Sequence, residues 1–302
     1  MKRRVLNIGS LNMDNVFSME HFVQPGEILS ANNFQVFPGG KGLNQSIALS
    51  RAGCEVFHAG KIGKDGEGLV HLLQENGVDT NLIEIGDADT GKAIIQVDRA
   101  GQNCIILYEG ANKTIGTTYI HEVLNKFGSG DMLLLQNEVN NISEMINRGY
   151  EKDMMVVLNP SPIGEEIYRC DFNKITYLIL NEVEGEALTG EKEAELITQA
   201  LLRKYPNQRI VLTLGTEGAC YCDKEQFIRQ AAYPVEAVDT TAAGDTFTGY
   251  FLRCIIDGMP VKQALNYSSL AASITVSRKG AAVSIPRWKE VKDKMQTGSV
   301  QG

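Results

Sequence analysis

The chain has no apolar run approaching the roughly 20 residues that a membrane-spanning helix requires. Its opening stretch, MKRRVLNIGSLNMD, is basic, but Asn7 cuts the apolar run shorter than the hydrophobic segment of a secretory signal. These two absences lead to the expectation of a cytoplasmic protein. Positive charge is also in short supply. Lys and Arg number 29 against 37 Asp and Glu, a net charge of −8, which excludes a general electrostatic affinity for nucleic acid or an anionic membrane. Any phosphate site must therefore be local. Cysteine is sparse and scattered: of six, only Cys220 and Cys222 lie close together, on one face of a strand, so neither a disulfide scaffold nor a paired zinc motif is present. Two phosphate signatures are missing as well. No segment reads GxxxxGK[ST], GKDGEG at 63–68 is too loose for a dinucleotide fingerprint, and VLNIGSLNMD has no GxGxxG, which argues against an α/β dehydrogenase.

What the sequence does contain is ordinary for a folded globular protein, 43% hydrophobic and 22% charged. Apolar, β-rich runs recur at VLNIGS (5–10), EVFHAGKIG (55–63), DMLLLQ (131–136), MMVVLN (154–159), ITYLIL (175–180) and RIVLTLG (209–215), with helix-patterned segments between them. Short buried strands alternating with helices predict an α/β fold: a doubly wound, mostly parallel sheet covered on both faces. Helical patterning covers 65–76, then 243–257, which Gly258 and Pro260 stop, and resumes after Pro260. Two regions break this rhythm. KAIIQVD and NCIILYE flank the turn RAGQ in the manner of a hairpin, and NVFSME (15–20) and NFQVFPG (33–39) are also strand-like. Together they predict a small separate sheet whose apolar face needs a cover, hence a lid and a homodimer contact. The organisation expected is one domain over 1–302, with a lid drawn from about 12–20, 33–39 and 91–109.

Five stretches could carry chemistry. AAGD places Ala242, Ala243 and Gly244 at a helix start, where small side chains let an anion reach unpaired amides, and follows them with Asp245. A carboxylate there can take a proton from an alcohol attacking a phosphoryl group. In PGGKGLNQ (38–45), the glycines permit close approach by a ligand and Asn44 offers both donor and acceptor to sugar hydroxyls. In NMD (12–14), Asn12 and Asp14 project to one side of an extended segment at a strand end, where open α/β sheets bind ligands. In NEVE (181–184), Asn181 and Glu184 share a helix face suited to hydrated magnesium. TLGTEG (213–218) ends another strand with a glycine-rich turn. Taken singly, the first four have plainer explanations: a dipole-complementing aspartate, a structural turn, an Asx turn, a helix cap with an exposed glutamate.

Taken together and in this order, the motifs resemble the ribokinase family of carbohydrate kinases over nearly the whole chain, from NMD through GGKGLN, NEVE, TLGTEG and DTTAAGDTFTG to SRKGAAVSIP. The resemblance implies a large α/β domain with a small β-sheet lid and ATP-dependent phosphorylation of a primary alcohol on a sugar. It makes Asp245 the catalytic base, with the amides of Ala242, Ala243 and Gly244 as anion hole. It places Asn12, Asp14, Gly40, Lys41, Asn44 and Glu138, in LLLQNEV, on the sugar. Asn181, Thr213 and Gly215 fall on the nucleotide side with Ser268 as an adenine-pocket candidate, and Glu184 falls beside Mg2+. A K+ site of mostly backbone carbonyls is implied around Asp239, Thr241, Arg278, Gly280 and Ser284, although AAVS (281–284) lacks the proline expected before that serine.

Within the family the set resembles ribose recognition, with deoxyribose, a nucleoside or another pentose left open. A sugar already carrying phosphate would need an extra cation near the lid. Lys92 and Arg99 are the candidates, and a solvated lid edge explains both. A non-catalytic sugar sensor on this fold would be expected to lose the carboxylate of AAGD, yet Asp245 is present.

Overall fold

A computed structural model describes residues 3–297. The strands run β1 (Arg4–Ile8), β2 (Asn12–Ser18), β3 (Asn33–Gly39), β4 (Glu55–Ile62), β5 (Asp79–Ile85), β6 (Gly91–Val97), β7 (Asn103–Tyr108), β8 (Met132–Gln136), β9 (Met155–Asn159), β10 (Tyr177–Asn181), β11 (Arg209–Thr213), β12 (Ala219–Cys222) and β13 (Phe227–Gln230). The helices are α1 (Lys41–Arg51), α2 (Glu67–Glu75), α3 (Thr117–Leu124), α4 (Ile142–Glu151), α5 (Glu165–Tyr168), α6 (Glu182–Thr189), α7 (Ala194–Lys204), α8 (Ala243–Ile256), α9 (Val261–Val276) and α10 (Trp288–Thr297).

Nine strands form the main sheet in the order β13-β12-β11-β10-β9-β8-β1-β4-β5. It is parallel from β11 to β5, and β12 and β13 add an antiparallel edge. Successive residues of the central strands point to opposite faces, and both faces are buried, which is why these strands read as continuous apolar runs. Val5, Leu134, Val157, Ile179 and Val211 face one core with α1, α2, α8, α9 and α10. Leu6, Leu135, Leu158, Leu180 and Leu212 face the other with α3, α4, α5 and α7. The doubly wound reading is correct. Patterning did not reveal β5, whose sequence DTNLIEI alternates with polar residues because it is the sheet's outer strand.

A second, four-stranded sheet has the order β3-β2-β6-β7, built from the stretches that broke the α/β rhythm. Its register puts Phe17, Phe34, Val36, Ile94 and Ile106 on one face, and Asn12, Asp14, Val16, Ile95, Ile105 and Leu107 on the other. Phe17 and Phe34 pack with ring centroids 4.7 Å apart. Among the described residues, no helix is long and apolar enough to cross a membrane.

Candidate active site

The site begins where β1 ends. Gly42, in the first turn of α1, lies so close to the end of β1 that a β-carbon on it would meet the Ser10 amide nitrogen at 2.4 Å and the Gly9 carbonyl carbon at 2.5 Å. Only glycine lets this helix start descend onto the strand. The descent brings the Lys41 amide to Glu138 Oε2 at 2.9 Å, while the Ser10 hydroxyl donates to the same oxygen. An anion at a helix N-terminus is favourably placed. Nevertheless, burial pushes the Glu138 carboxyl above its ordinary value, against the pull of Lys41 and Ser10.

Asp14 enters from β2. Gly39 sits opposite on β3, and a β-carbon there would meet Asp14 Oδ2 at 2.1 Å, so the missing side chain makes room for the carboxylate. Burial first, and the Glu138 charge second, push Asp14 up to about 6. Its neighbour Asn12 is buried with its amide orientation fixed. The Leu11 amide donates to Asn112 Oδ1 at 3.0 Å, and Asn112 Nδ2 donates to Asn12 Oδ1 at 2.7 Å. The Asn12 oxygen is thereby consumed and its NH2 is left to read an acceptor.

Asp245 lies in the first turn of α8 and is buried. Its Oδ2 accepts from Asn44 Nδ2 at 3.1 Å and its Oδ1 from Gln45 Nε2 at 2.9 Å, so α1 and α8 are joined through this carboxylate. The cap residue Ala242 adopts φ 60°, the left-handed region that a residue bearing a β-carbon rarely enters. The helix ladder starts with the Thr246 amide on the Ala242 carbonyl, and the Ala243 amide reaches the Thr240 carbonyl at 3.3 Å. Among the described residues, the amides of Ala242, Gly244 and Asp245 have no acceptor. Of the three amides expected to form the cradle, those of Ala242 and Gly244 are open while that of Ala243 is taken by Thr240, and the amide of Asp245 itself is open beside them.

A cavity of about 230 Å³ opens onto this helix start. Lys41, Asn181, Glu184, Thr213, Ala242, Ala243, Gly244 and Asp245 all line it, together with Asn159, Ser161, Thr240 and Thr248, which sequence reasoning did not single out. Burial works against the Lys41 ammonium, but Asp245, Glu138 and Glu184 more than offset it and raise its pKa. Asn181 and Glu184 form a reciprocal capping box at α6, with Asn181 Oδ1 accepting from the Glu184 amide at 2.9 Å and Glu184 Oε2 from the Asn181 amide at 3.0 Å. The plain cap explanation is thus right about their bonds, yet Glu184 is buried, not exposed, and borders the cavity.

Gly40 is the N-cap of α1, at φ 93°. Gly215 opens the turn after β11 at φ 53° but does not line the cavity, and neither does Ser268, which is buried in α9 with its hydroxyl on the Ala264 carbonyl at 2.6 Å. Asp239 ties two loops together, accepting from the Thr241 amide and from the Gly280 amide, each at 2.9 Å. Arg278 is paired with Glu290, and the Ser284 hydroxyl donates to the Ala281 carbonyl at 2.7 Å.

Polar residues within buried strands were also missed. Asn7 on β1, Gln136 on β8 and Asn159 on β9 lie at or near the ends of central strands, Asn7 and Gln136 fully buried, and are linked to Gln45 by hydrogen bonds. The available signal was an amide inside an otherwise apolar strand, which must find a partner when buried.

Residues 2–288 match the family model described as pfkB family carbohydrate kinase. The chain is 33% identical to a ribokinase of Bacillus subtilis, the match covering 96% of this chain and 99% of that one. It superposes on a Cryptococcus neoformans ribokinase in complex with ADP with TM-score 0.85 and 32% identity, covering 97% of this chain and 99% of that one. An Arabidopsis thaliana ribokinase complexed with ribose and ATP superposes with TM-score 0.84 and 29% identity, covering 97% and 98%. With the family model spanning nearly its full length and a relative this similar end to end, the chain belongs to the pfkB family of carbohydrate kinases.

Proposed function

We propose that this protein transfers the terminal phosphoryl group of ATP to the primary hydroxyl of D-ribose, giving ribose 5-phosphate. The observation that carries the reading is the junction of Asn44 with Asp245, where the sugar-side helix start and the anion cradle meet at one carboxylate. Asn44 Oδ1 is buried and has no partner among the described residues. A substrate hydroxyl lying against it would satisfy that atom and stand next to Asp245. Asn12 offers a donor to the sugar, Asp14 and Glu138 offer acceptors, and Asp245 takes the proton of the attacking alcohol. The open amides at 242, 244 and 245 face the charge that develops on the transferred group, and Lys41 adds a cation beside it.

Among the described residues, no cluster of three or more His, Cys, Asp or Glu could cage a metal ion. Glu184, with Asn181, fits the other way of holding Mg2+, one carboxylate with water and nucleotide phosphates completing the shell. When bound, that ion would neutralise phosphate charge. The two loops that Asp239 ties together, with Thr241, Arg278, Gly280 and Ser284, are in this reading the ones that would hold a monovalent cation, K+.

The four-stranded sheet serves as a lid in this reading, its Asn12 and Asp14 face toward the sugar. The opposite face, with Phe34 and Val36 each 51% exposed, suits pairing with a second copy of the sheet in a cytoplasmic homodimer. Lys92 is paired with Asp65 and Asp89, and Arg99 with Glu20, so neither lid cation is left for a phosphate already on the sugar. That favours an unphosphorylated acceptor.

The test is a panel of ribose, deoxyribose, other pentoses, fructose and adenosine with ATP, read by coupled ADP release. Ribose is expected to give the highest kcat/KM. A higher value for fructose or adenosine overturns the substrate, and binding without turnover of any sugar supports the sensor instead.

A further inference from the structure

The Asp245 carboxylate is held at its Oδ1 by one side chain, Gln45, which sits one residue past the motif positions assigned to the sugar. Gln45 is fully buried, and its own orientation is dictated from behind. Asn7 Nδ2 donates to the Gly42 carbonyl and to Ser46 Oγ, both at 2.8 Å, so Asn7 Oδ1 must serve as acceptor. It takes Gln136 Nε2 at 3.0 Å, and the same NH2 donates to Gln45 Oε1 at 2.7 Å. With its oxygen taken, Gln45 can turn only its NH2 toward Asp245 and toward Asn159 Oδ1 at 3.2 Å. Asn159 is fixed in turn, because its NH2 donates to the Ile179 carbonyl at 2.9 Å. Backbone carbonyls at both ends, of Gly42 and Ile179, therefore set the polarity of every amide in the chain. Reversing any one would face oxygen against oxygen in a buried place.

We infer that Gln45 is a positioning residue for Asp245, and that Gln136 and Asn7 act through it by presenting its amide nitrogen, not its oxygen, to the carboxylate. The inference rests on Asp245 being the base. Its physical content is rotational. A carboxylate on a single Cβ–Cγ bond is free to turn, and donors on both oxygens fix it so that its remaining lone pairs are available to the cavity it lines. A group acting this way matters to the reaction step more than to sugar affinity, since it makes no contact with the sugar subsite formed by Asn12, Asp14 and Glu138.

The experiment uses the full chain with ribose and ATP. Gln45→Met is expected to lower kcat on the order of tenfold or more while the ribose KM stays within about twofold. Gln136→Met should lower kcat in the same direction, and the double variant should be no slower than Gln45→Met alone, because Gln136 has nothing left to act through. Isosteric Gln45→Glu separates orientation from packing: it fills the same space but faces Asp245 with oxygen, so it should be at least as slow as Gln45→Met. If Gln45→Met does not fold, folded Gln136→Met decides, and an unchanged kcat there overturns the inference. So does a Gln45→Met enzyme with wild-type kcat, or a double variant whose losses multiply. Asp245→Asn is run alongside. Should it keep wild-type turnover, the assignment of the base has failed. Should it be dead while Gln45→Met is unimpaired, the positioning inference has failed alone.

Discussion

Asn44 and Asp245 are 201 residues apart in the chain and 3.1 Å apart in the structure, their side chains meeting between the starts of two helices. Each helix start offers open amides or close-packed glycine, and the hydrogen bond makes them one site.

Removing the carboxylate while keeping its shape is the most direct perturbation of that site. Asp245→Asn should lower kcat by on the order of a thousandfold, within or near the range general-base loss gives, and leave ribose affinity by calorimetry within a few-fold. Turnover near wild type would refute the base.

Asp14 carries a pH signature. Its folded-state value is about 6, above the ordinary 3.8, so between these values the folded protein holds a proton that the unfolded chain has lost. The stabilisation this brings is present in acid and disappears as pH rises through 6. Asp14→Asn should accordingly raise the Tm of the sugar-free protein by roughly 2–4 °C at pH 8 and hardly at pH 4, while weakening ribose binding. In the wild type, the ribose KM should climb as pH falls below about 6 and Asp14 ceases to be an acceptor. A KM flat from pH 8 to 5 would remove Asp14 from the sugar site.

His58 behaves oppositely. It is fully buried, shares a 2.8 Å hydrogen bond with Ser46, and is held down to about 4 by burial. Below the ordinary 6.5 the unfolded chain takes up a proton that the folded protein refuses, so stability is lost as pH falls from 6.5 toward 4. Urea midpoints should fall over that window in the wild type and fall less steeply in His58→Asn. Parallel curves would show that His58 is not the group responsible.

The loops bridged by Asp239 lead to a fourth expectation. Replacing sodium by potassium in otherwise identical buffer should raise kcat, and Asp239→Ala, which frees both loops, should abolish the difference. Equal rates in the two salts would dismiss the cation site.

Much of the fold was legible because its central strands are buried on both faces. Val5, Leu6, Leu133, Leu134, Val156 and Val157 had to be apolar, and an apolar run of that length between helical patterns has few other places to go. The edge strands β5 and β13 did not emerge as clearly, because an outer strand is covered less and mixes polar residues into its pattern. Motif positions such as Asn12, Asp14, Asn44 and Asp245 stood out because each lies beside small residues or at a strand end, a local anomaly that shows without a third dimension.

Sequence by itself determined the layer architecture, the separate small sheet and the residue types gathered at the helix starts, since periodicity and local sterics act over a few neighbouring residues. Tertiary structure alone decided which side of each amide faces its neighbour, that Glu184 is buried while it caps α6, that Ser268 points into its own helix, and that Gln136 stands behind Gln45. Those facts depend on partners brought together from distant segments, and a hydrogen bond has no direction until both of its ends are in place.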